Sequence, residues 1–212
     1  MTGIISPCAA MVFAVSLEVL AVAVLWSTSN LLAALLALSG TLFYVFVYTL
    51  WLKRTSTQNI VIGGAAGAVP ALVGWAAVTN SLAWEPVILF AIIFLWTPPH
   101  FWALAIRYAE DYRAADVPML PSVVPTDVAA RKMVVYTVAM IATSFLILPV
   151  SELGWIYGIT AALSGAMFLI GSIQLLRAPT AAGAMRLFGF SITYVTLLFG
   201  AVMVDVLVRH GW

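Results

Sequence analysis

Long apolar runs alternate with short polar segments along the whole sequence. Each run is close to the roughly 20 residues of helix that cross a hydrocarbon core of about 30 Å. The pattern predicts seven membrane-spanning helices, at residues 9–26, 31–52, 60–79, 87–106, 134–150, 155–176 and 187–208. The predicted fold class is therefore all-α, a polytopic membrane helix bundle that forms one integral domain over residues 1–212.

The composition excludes a soluble domain. Hydrophobic residues make up 64% of the chain and charged residues only 8%, against roughly 45–50% and 25% in soluble domains. We expect the lipid bilayer to surround most of the chain, and we expect no nucleic-acid partner. The single Cys8 excludes an internal disulfide and provides no metal signature. The N-terminus does not show the pattern of a removable signal peptide.

The basic residues fall almost entirely on one side of the predicted membrane. With seven spans, the N-terminus and the second, fourth and sixth loops lie on one side, and only Arg209 lies on the other. Because short loops rich in Lys and Arg stay in the cytoplasm, we predict a multi-pass plasma-membrane protein with a cytoplasmic N-terminus and an external C-terminus. The cytoplasmic basic residues are Lys53, Arg54, Arg107, Arg113, Arg131, Lys132, Arg177 and Arg186.

The predicted loop at residues 107–133 is long for a compact bundle, and such loops are usually functional or carry a short helix. Arg107, Glu110, Asp111 and Asp116 lie close together in it. If the fourth helix continues past the membrane, Arg107 and Asp111 share one face. Carboxylates supply the hard oxygen ligands that Mg²⁺ prefers, and arginines neutralise the oxygens of a diphosphate. The alternative is a solvated loop whose charges pair with one another.

Two prolines interrupt the fourth apolar run. Pro98 and Pro99 remove helix hydrogen bonds, and breaks at membrane depth occur where the backbone is buried in protein or lines a cavity. We therefore predict a broken helix and a pocket at this point. His100 could act there as an acid, a base or an axial ligand of haem iron, or it could be a core histidine that donates to a freed carbonyl.

Aromatic side chains surround the same segment. Their ring faces could stabilise an allylic cation, or they could be anchors at the membrane interface. The residues in question are Trp96, Phe101, Trp102, Tyr108 and Tyr112.

Other candidate residues have simpler explanations. The small residues of the third span, including Gly63, Gly64 and Gly67, indicate close helix packing more than direct contact with a ligand. Lys53 and Arg54 could bind a diphosphate or a propionate, or act only as a topology signal. Glu18 and Asp205 lie inside spans, must face the interior or be neutral, and receive no predicted role.

Four sequence blocks resemble one known family in its order and spacing. They lie at residues 48–54, 58–67, 96–104 and 117–121 and read YTLWLKR, QNIVIGGAAG, WTPPHFWAL and VPMLP. The family is the protohaem IX farnesyltransferases, or haem O synthases, among the intramembrane prenyltransferases of the ubiquinone-biosynthesis type. The resemblance covers most of the chain, is strongest over residues 48–124, and is weak after Arg131.

The resemblance implies a reaction and its ligands. Members of the family usually have nine helices around a lipid-accessible cavity, and two aspartate-rich segments bind Mg²⁺ and the prenyl diphosphate. The implied substrates are farnesyl diphosphate and haem B, the product is haem O, and downstream partners are a haem A synthase or a terminal oxidase.

The residues and the resemblance together predict three groups in the site. The predicted catalytic residues are His100, Tyr108, Lys53 and Arg54. The predicted substrate-binding residues are Asn59, Arg107, Trp96, Trp102, Tyr112 and Arg113. The predicted Mg²⁺ ligands are Glu110, Asp111 and Asp116.

The sequence departs from the family pattern in three ways. The family usually has Asp at the position of Glu110 and Gly at the position of Asp116, and neither change should abolish metal binding. The first aspartate-rich segment and its two helices have no counterpart, and residues 2–7 resemble the stretch that follows it. We therefore expect the domain to be N-terminally truncated relative to the family and poorly active by itself.

Three other functions fit parts of the pattern. A related prenyltransferase that uses a quinone precursor would share the cation chemistry. A proton-coupled transporter would explain Glu18, His100 and Asp205 as titrating groups, although transporters commonly show paired broken helices and only one break is predicted here. A noncatalytic membrane protein is the third possibility.

Overall fold

A computed structural model describes residues 5–211, without the side chain of His210. Residues 1–4 lie outside the described part, so half of the segment at residues 2–7 that carries the resemblance is not described. The described part contains seven helices long and apolar enough to cross a membrane. They are α1 (Pro7–Thr28), α2 (Leu31–Thr55), α3 (Asn59–Thr79), α4 (Trp84–Arg107), α7 (Thr126–Leu146), α8 (Trp155–Arg177) and α9 (Ala181–His210). Two short helices, α5 (Ala109–Ala114) and α6 (Leu120–Val123), connect α4 to α7.

The seven predicted spans are confirmed, but α7 and α9 begin about two turns earlier than the apolar runs do. Helix α7 begins at Thr126, so Arg131 and Lys132 lie on its second turn and not in a loop. Helix α9 begins at Ala181, where the hydroxyl of Thr180 accepts a hydrogen bond from the amide of Gly183 at 3.1 Å. An apolar run marks the length of chain in hydrocarbon, whereas a helix can continue beyond it into the interface.

Helix α4 is the centre of the bundle. It packs against α3, α7 and α9, and α8 closes a four-helix group by packing on α7 and α9. On the other side α2 packs on α3, and α1 packs on α2. The core of the four-helix group is filled by large apolar side chains that are completely buried, among them Ile92, Trp102, Met140, Phe168 and Tyr194.

The predicted break at Pro98 and Pro99 is wrong, because α4 is helical without interruption from Trp84 to Arg107. Both prolines are buried. A transmembrane helix tolerates proline when neighbouring helices and local side chains satisfy the freed backbone groups. Here α4 packs against α3, α7 and α9, which surround the proline segment.

Helix α2 changes its winding halfway along. Residues Phe43–Leu52 form a π-helical segment between ordinary α-helical turns. Such segments are rare and are frequently found at functional sites. In this one Tyr44 and Tyr48 lie together, with ring centroids 5.3 Å apart, and both rings line the cavity described next.

Candidate active site

A cavity of about 800 Å³ lies between α2, α3 and α4. Helix α3 contributes its small residues, and α2 and α4 contribute aromatic rings. The pocket predicted beside the prolines is therefore present, although no broken helix creates it. Its lining includes Gly40, Thr41, Tyr44 and Tyr48 from α2, Gly63, Gly64, Gly67, Pro70 and Gly74 from α3, and Ile93, Trp96, Thr97 and Phe101 from α4.

The glycines of α3 have two different roles. A Cβ atom at Gly64 would lie 2.8 Å from the Thr97 side chain, and one at Gly63 would overlap the Tyr48 ring. These two positions allow close helix packing, as predicted from the small-residue pattern. Gly67 and Gly74 have no atom within 4 Å of such a Cβ, so their lack of a side chain leaves room in the cavity.

A hydrogen bond holds Trp96 in the cavity wall. Its indole N–H donates to the backbone carbonyl of Ser191 on α9 at 2.8 Å. Trp102 lies elsewhere. It is completely buried, its ring makes an edge contact with Tyr136 at a centroid distance of 5.5 Å, and its indole N–H has no hydrogen-bond acceptor within the described residues.

His100 lies behind Trp96, at the contact between α4 and α9. Its ring is stacked between Trp96, at a centroid distance of 4.1 Å, and Phe188, at 4.5 Å. Its Nδ1 lies 2.6 Å from the hydroxyl oxygen of Ser191. The Ser191 hydroxyl donates its single proton to the Phe188 carbonyl at 2.5 Å. With that proton used, the histidine tautomer that carries its hydrogen on Nδ1 can donate to the Ser191 oxygen, and Nε2 then keeps its lone pair.

This hydrogen bond bears on the two hypotheses for His100, a reactive group or a core histidine that donates to a freed carbonyl. The histidine is buried and has a partner, but that partner is a serine hydroxyl and not a carbonyl freed by proline. The cavity wall includes its neighbours Trp96 and Phe101 but not His100 itself. Its most direct effect on the cavity is to support the Trp96 ring from behind.

The connection between α4 and α7 lies near the end of α2. The guanidinium of Arg54 donates to the carbonyl of Ala115 at 3.3 Å, and Arg113 donates to the carbonyl of Ser122 at 2.8 Å. Lys53 and Arg54 form the last turn of α2. The fold thus brings Arg54 into contact with the acidic connection, and Lys53 precedes it in the same turn.

The carboxylates of this connection are exposed. Glu110 and Asp111 lie in the first turn of α5, and Asp116 follows that helix. Helix α4 does not continue past Arg107, because Tyr108 has φ −109° and ψ 27°. Arg107 and Asp111 therefore do not share one helical face. In the described part of the chain no ion pair within 4 Å joins Asp111 to an arginine of this segment, so the self-paired loop is not observed.

Asp116 has a backbone conformation that explains the family pattern. Its φ angle is 54°, in the left-handed region that glycine adopts without a steric cost. The resembling family usually has glycine at this position, and aspartate is among the residues that tolerate the region best. Asp116 adds a carboxylate here while it keeps the turn.

The remaining predicted site residues lie around the same end of the bundle. Tyr108 is exposed, with the Arg107 guanidinium 5.7 Å from its ring centroid. Tyr112 is half-buried, and this burial raises the pKa of its phenol above the ordinary value. Asn59 is completely buried, and its amide donates to the Lys53 carbonyl at 3.3 Å. Asn59 therefore ties the end of α2 to the start of α3.

Asp205, for which the sequence predicted no role, lies at the opposite end of the bundle from the α4–α7 connection. There it makes hydrogen bonds that stabilise the structure. Its carboxylate accepts hydrogen bonds from the backbone amides of Gly154 at 3.0 Å and Tyr157 at 2.8 Å, and from Arg209 at 2.9 Å. It caps the start of α8 and forms an ion pair with the same arginine. Of the three titrating groups that a transporter would need, this one is fixed in a cap. Glu18, the third, is half-buried on α1.

Sequence reasoning did not single out Tyr44, Phe188 or Ser191. A serine and a phenylalanine in an apolar span are common, and their meaning depends on which helix faces α4. The spacing of Tyr44 and Tyr48 by four residues was the one available signal.

Comparison with known proteins identifies the family. The family model described as the UbiA prenyltransferase family matches residues 1–200. The chain belongs to the UbiA prenyltransferase family. Among curated relatives, the protoheme IX farnesyltransferase of Gloeobacter violaceus is 52% identical over 204 residues, covering 96% of this chain and 67% of the relative. That of Streptomyces coelicolor is 45% identical over 214 residues, covering 98% and 68%.

The resemblance seen in the four sequence blocks is confirmed by these UbiA-family relatives. The chain spans about two thirds of their length, since the protoheme IX farnesyltransferase of Paenarthrobacter aurescens is covered to 65% at 48% identity.

Solved structures of this UbiA-type fold are similar as well. A structure of digeranylgeranylglyceryl phosphate synthase superposes with a TM-score of 0.78 at 20% identity, over 96% of this chain and 71% of that one. The apo structure of a UbiA homolog from Aeropyrum pernix K1 gives 0.64 at 16% identity, over 96% and 74%. At these identities the similarity establishes the fold alone, and it confirms the predicted membrane helix bundle.

Proposed function

We propose that this UbiA-family protein transfers the farnesyl group of farnesyl diphosphate to a vinyl group of haem B and so makes haem O. The observation that carries the proposal is the cavity of about 800 Å³, apolar and aromatic along its length, with cations and carboxylates near one end. An isoprenoid diphosphate has this same division into a long apolar chain and a charged head. The relatives named protoheme IX farnesyltransferase supply the choice of substrate.

The cavity would hold the isoprenoid chain. Its aromatic wall offers ring faces to an allylic cation, which the ring quadrupole stabilises. Tyr44, Tyr48, Trp96 and Phe101 are the rings in question. We assign His100 to the support of Trp96, because it stacks against that ring and is held by Ser191.

The connection between α4 and α7 would bind the diphosphate. Lys53, Arg54, Arg107 and Arg113 supply positive charge to phosphate or propionate oxygens, and Tyr108 supplies a phenolic donor. Tyr112, half-buried in the same segment, would close the apolar side of this region.

Mg²⁺ would be held by the carboxylates of this connection. The described residues contain no group of three His, Cys, Asp or Glu side chains that could hold a metal ion by themselves. Mg²⁺ is usually bound by one or two carboxylates together with substrate phosphates and water, and Glu110 and Asp111 in one turn of α5, with Asp116 nearby, fit that arrangement. When bound, the ion would offset the negative charge of the diphosphate.

The reaction consists of one bond cleavage and two additions. The C–O bond of the allylic diphosphate breaks, and the diphosphate leaves with the electron pair. The π electrons of the haem vinyl group form a bond to the farnesyl carbon, and the positive charge moves to the carbon next to the porphyrin. Water adds to that carbon and loses a proton, which leaves a hydroxyl. The protein contributes position, charge stabilisation and exclusion of water from the first cation.

The orientation of the protein in the membrane is predicted from the end of the bundle that holds most of its basic residues. We propose that the connection between α4 and α7 faces the cytoplasm of a plasma membrane, because eight of the nine basic residues lie at that end. Haem O would then pass to a haem A synthase or a terminal oxidase.

The test is haem extraction and chromatography from membranes of a strain that lacks haem O synthase. The strain would express this chain, the full-length Gloeobacter violaceus relative, or an empty vector. Haem O from this chain that disappears in the Trp96→Leu variant supports the proposal. Haem B alone, with haem O from the relative and equal protein in the membrane, contradicts it for this chain. Prenylated 4-hydroxybenzoate in a parallel assay would favour a quinone-precursor acceptor.

A further inference from the structure

A second groove, separate from the proposed active site, lies between α8 and α9. It encloses about 420 Å³ and shares no residue with the cavity between α2, α3 and α4. One end is lined by Gln174, Thr180 and Arg186, and the other by Met167, Gly171 and Phe190. The groove therefore has a polar end at the basic side of the bundle and an apolar end that runs towards the middle of the bilayer.

Large apolar side chains of both helices line the groove, and two glycines lie among them. A Cβ atom at Gly171 on α8 would lie 3.0 Å from the Leu187 side chain, and one at Gly183 on α9 would lie 3.0 Å from the Thr180 hydroxyl. A side chain at either position would press against these neighbours, so glycine at 171 and 183 leaves the space of the groove unfilled. Gln174, Thr180 and Arg186 are exposed, so the polar end of the groove is open to the outside of the bundle.

The polar end has donors without protein partners. In the part of the chain that the structure describes, the side chains of Arg186 and Gln174 make no hydrogen bond or ion pair. The Thr180 hydroxyl accepts from the Gly183 amide and keeps its own proton to donate. No acidic residue lines the groove, whereas the basic Arg186 does. The charge pattern favours an anion.

We propose that this groove is a binding site for an anionic glycerophospholipid of the surrounding membrane. The guanidinium of Arg186 matches two phosphate oxygens, and the Gln174 amide and Thr180 hydroxyl supply further donors. One acyl chain lies along Gly171, Met167 and Phe190. Basic pockets between transmembrane helices are a recurrent form of lipid headgroup recognition. The site is independent of the proposed transferase reaction.

The experiment measures lipid retention by native mass spectrometry on the purified chain. The protein is exchanged into detergent with equal amounts of phosphatidylglycerol and phosphatidylcholine. We expect the wild type to carry one phosphatidylglycerol, and we expect Arg186→Gln to reduce that adduct about tenfold, the loss of one charge-assisted contact. Arg177→Gln is the matched control, since it removes one charge at the same end of the bundle without changing the groove lining.

A thermal measurement gives a second readout. Phosphatidylglycerol should raise the unfolding temperature of the wild type and of Arg177→Gln but not of Arg186→Gln, because a ligand stabilises only the protein that binds it. Equal adducts in all three proteins, or an equal loss in both variants, would overturn the proposal. Displacement of the phosphatidylglycerol by an equimolar amount of farnesyl diphosphate would also overturn it, because the groove would then belong to a substrate.

Discussion

The Nδ1 atom of His100 lies 2.6 Å from the hydroxyl oxygen of Ser191, and this short contact joins α4 to α9 in the interior of the bundle. The same serine receives the Trp96 indole N–H on its backbone carbonyl. One residue of α9 therefore holds both a ring of the cavity wall and the histidine stacked behind it. The position of Trp96 depends on a helix that does not itself line the cavity.

This relationship predicts an energetic coupling between His100 and Ser191. Ser191→Ala leaves the buried Nδ1–H without an acceptor, and the unfolding free energy should fall by about 1 kcal/mol, the size usual for hydrogen bonds in membrane proteins. His100→Phe keeps the ring stack and removes the donor. The double variant should therefore lose about 1 kcal/mol less unfolding free energy than the sum of the two single losses. Reversible unfolding in mixed micelles measures all four proteins. Additive losses would show that the contact contributes nothing.

The glycines of α3 provide a direct test of the cavity. Gly67→Leu places a side chain where no atom lies within 4 Å, so the protein should fold normally while the cavity loses volume and transferase activity falls at least tenfold. Gly63→Leu should instead lower the yield of folded protein, because its Cβ would overlap Tyr48. Gly189→Leu on α9, also with no atom within 4 Å, is the control and should leave both activity and folding unchanged. Full activity of folded Gly67→Leu would exclude this cavity as the isoprenoid site.

Asp205 should matter for stability and not for catalysis. Asp205→Ala removes the acceptor of two α8 amides and the partner of Arg209, and the loss in unfolding free energy should be at least about 1–2 kcal/mol. Glu18→Ala, in the half-buried position on α1, should change it much less. Activity per folded molecule should be the same in both variants. If Asp205→Ala stays stable but loses activity, this carboxylate has a role in the function and not only in stability.

The acidic turn of α5 predicts a change in metal dependence. Asp111→Asn keeps the size of the side chain and removes its charge, so the Mg²⁺ concentration for half-maximal transfer should rise about tenfold or more. Asp127→Asn, an exposed acid in the first turn of α7, is the control at the same end of the bundle and should not shift that concentration. Equal Mg²⁺ dependence of wild type and Asp111→Asn would remove α5 from the proposed metal site.

The sequence by itself determined the architecture and the family. Seven apolar runs predict seven spans because the hydrocarbon core requires a minimum length of apolar helix, and the structure has them. The four blocks around Lys53, Gly63, His100 and Pro118 identified the family, because they preserve its order and spacing.

Only the tertiary structure decided which side chains share a space. Two prolines read along the chain predict a break, but α4 stays continuous because helices surround it on three sides. The contact of His100 with Ser191 joins residues 91 positions apart, and the cavity depends on glycines of α3 facing the rings of α2 and α4. In a membrane bundle nearly every helix is apolar on all faces, so hydropathy carries little information about which face meets which neighbour.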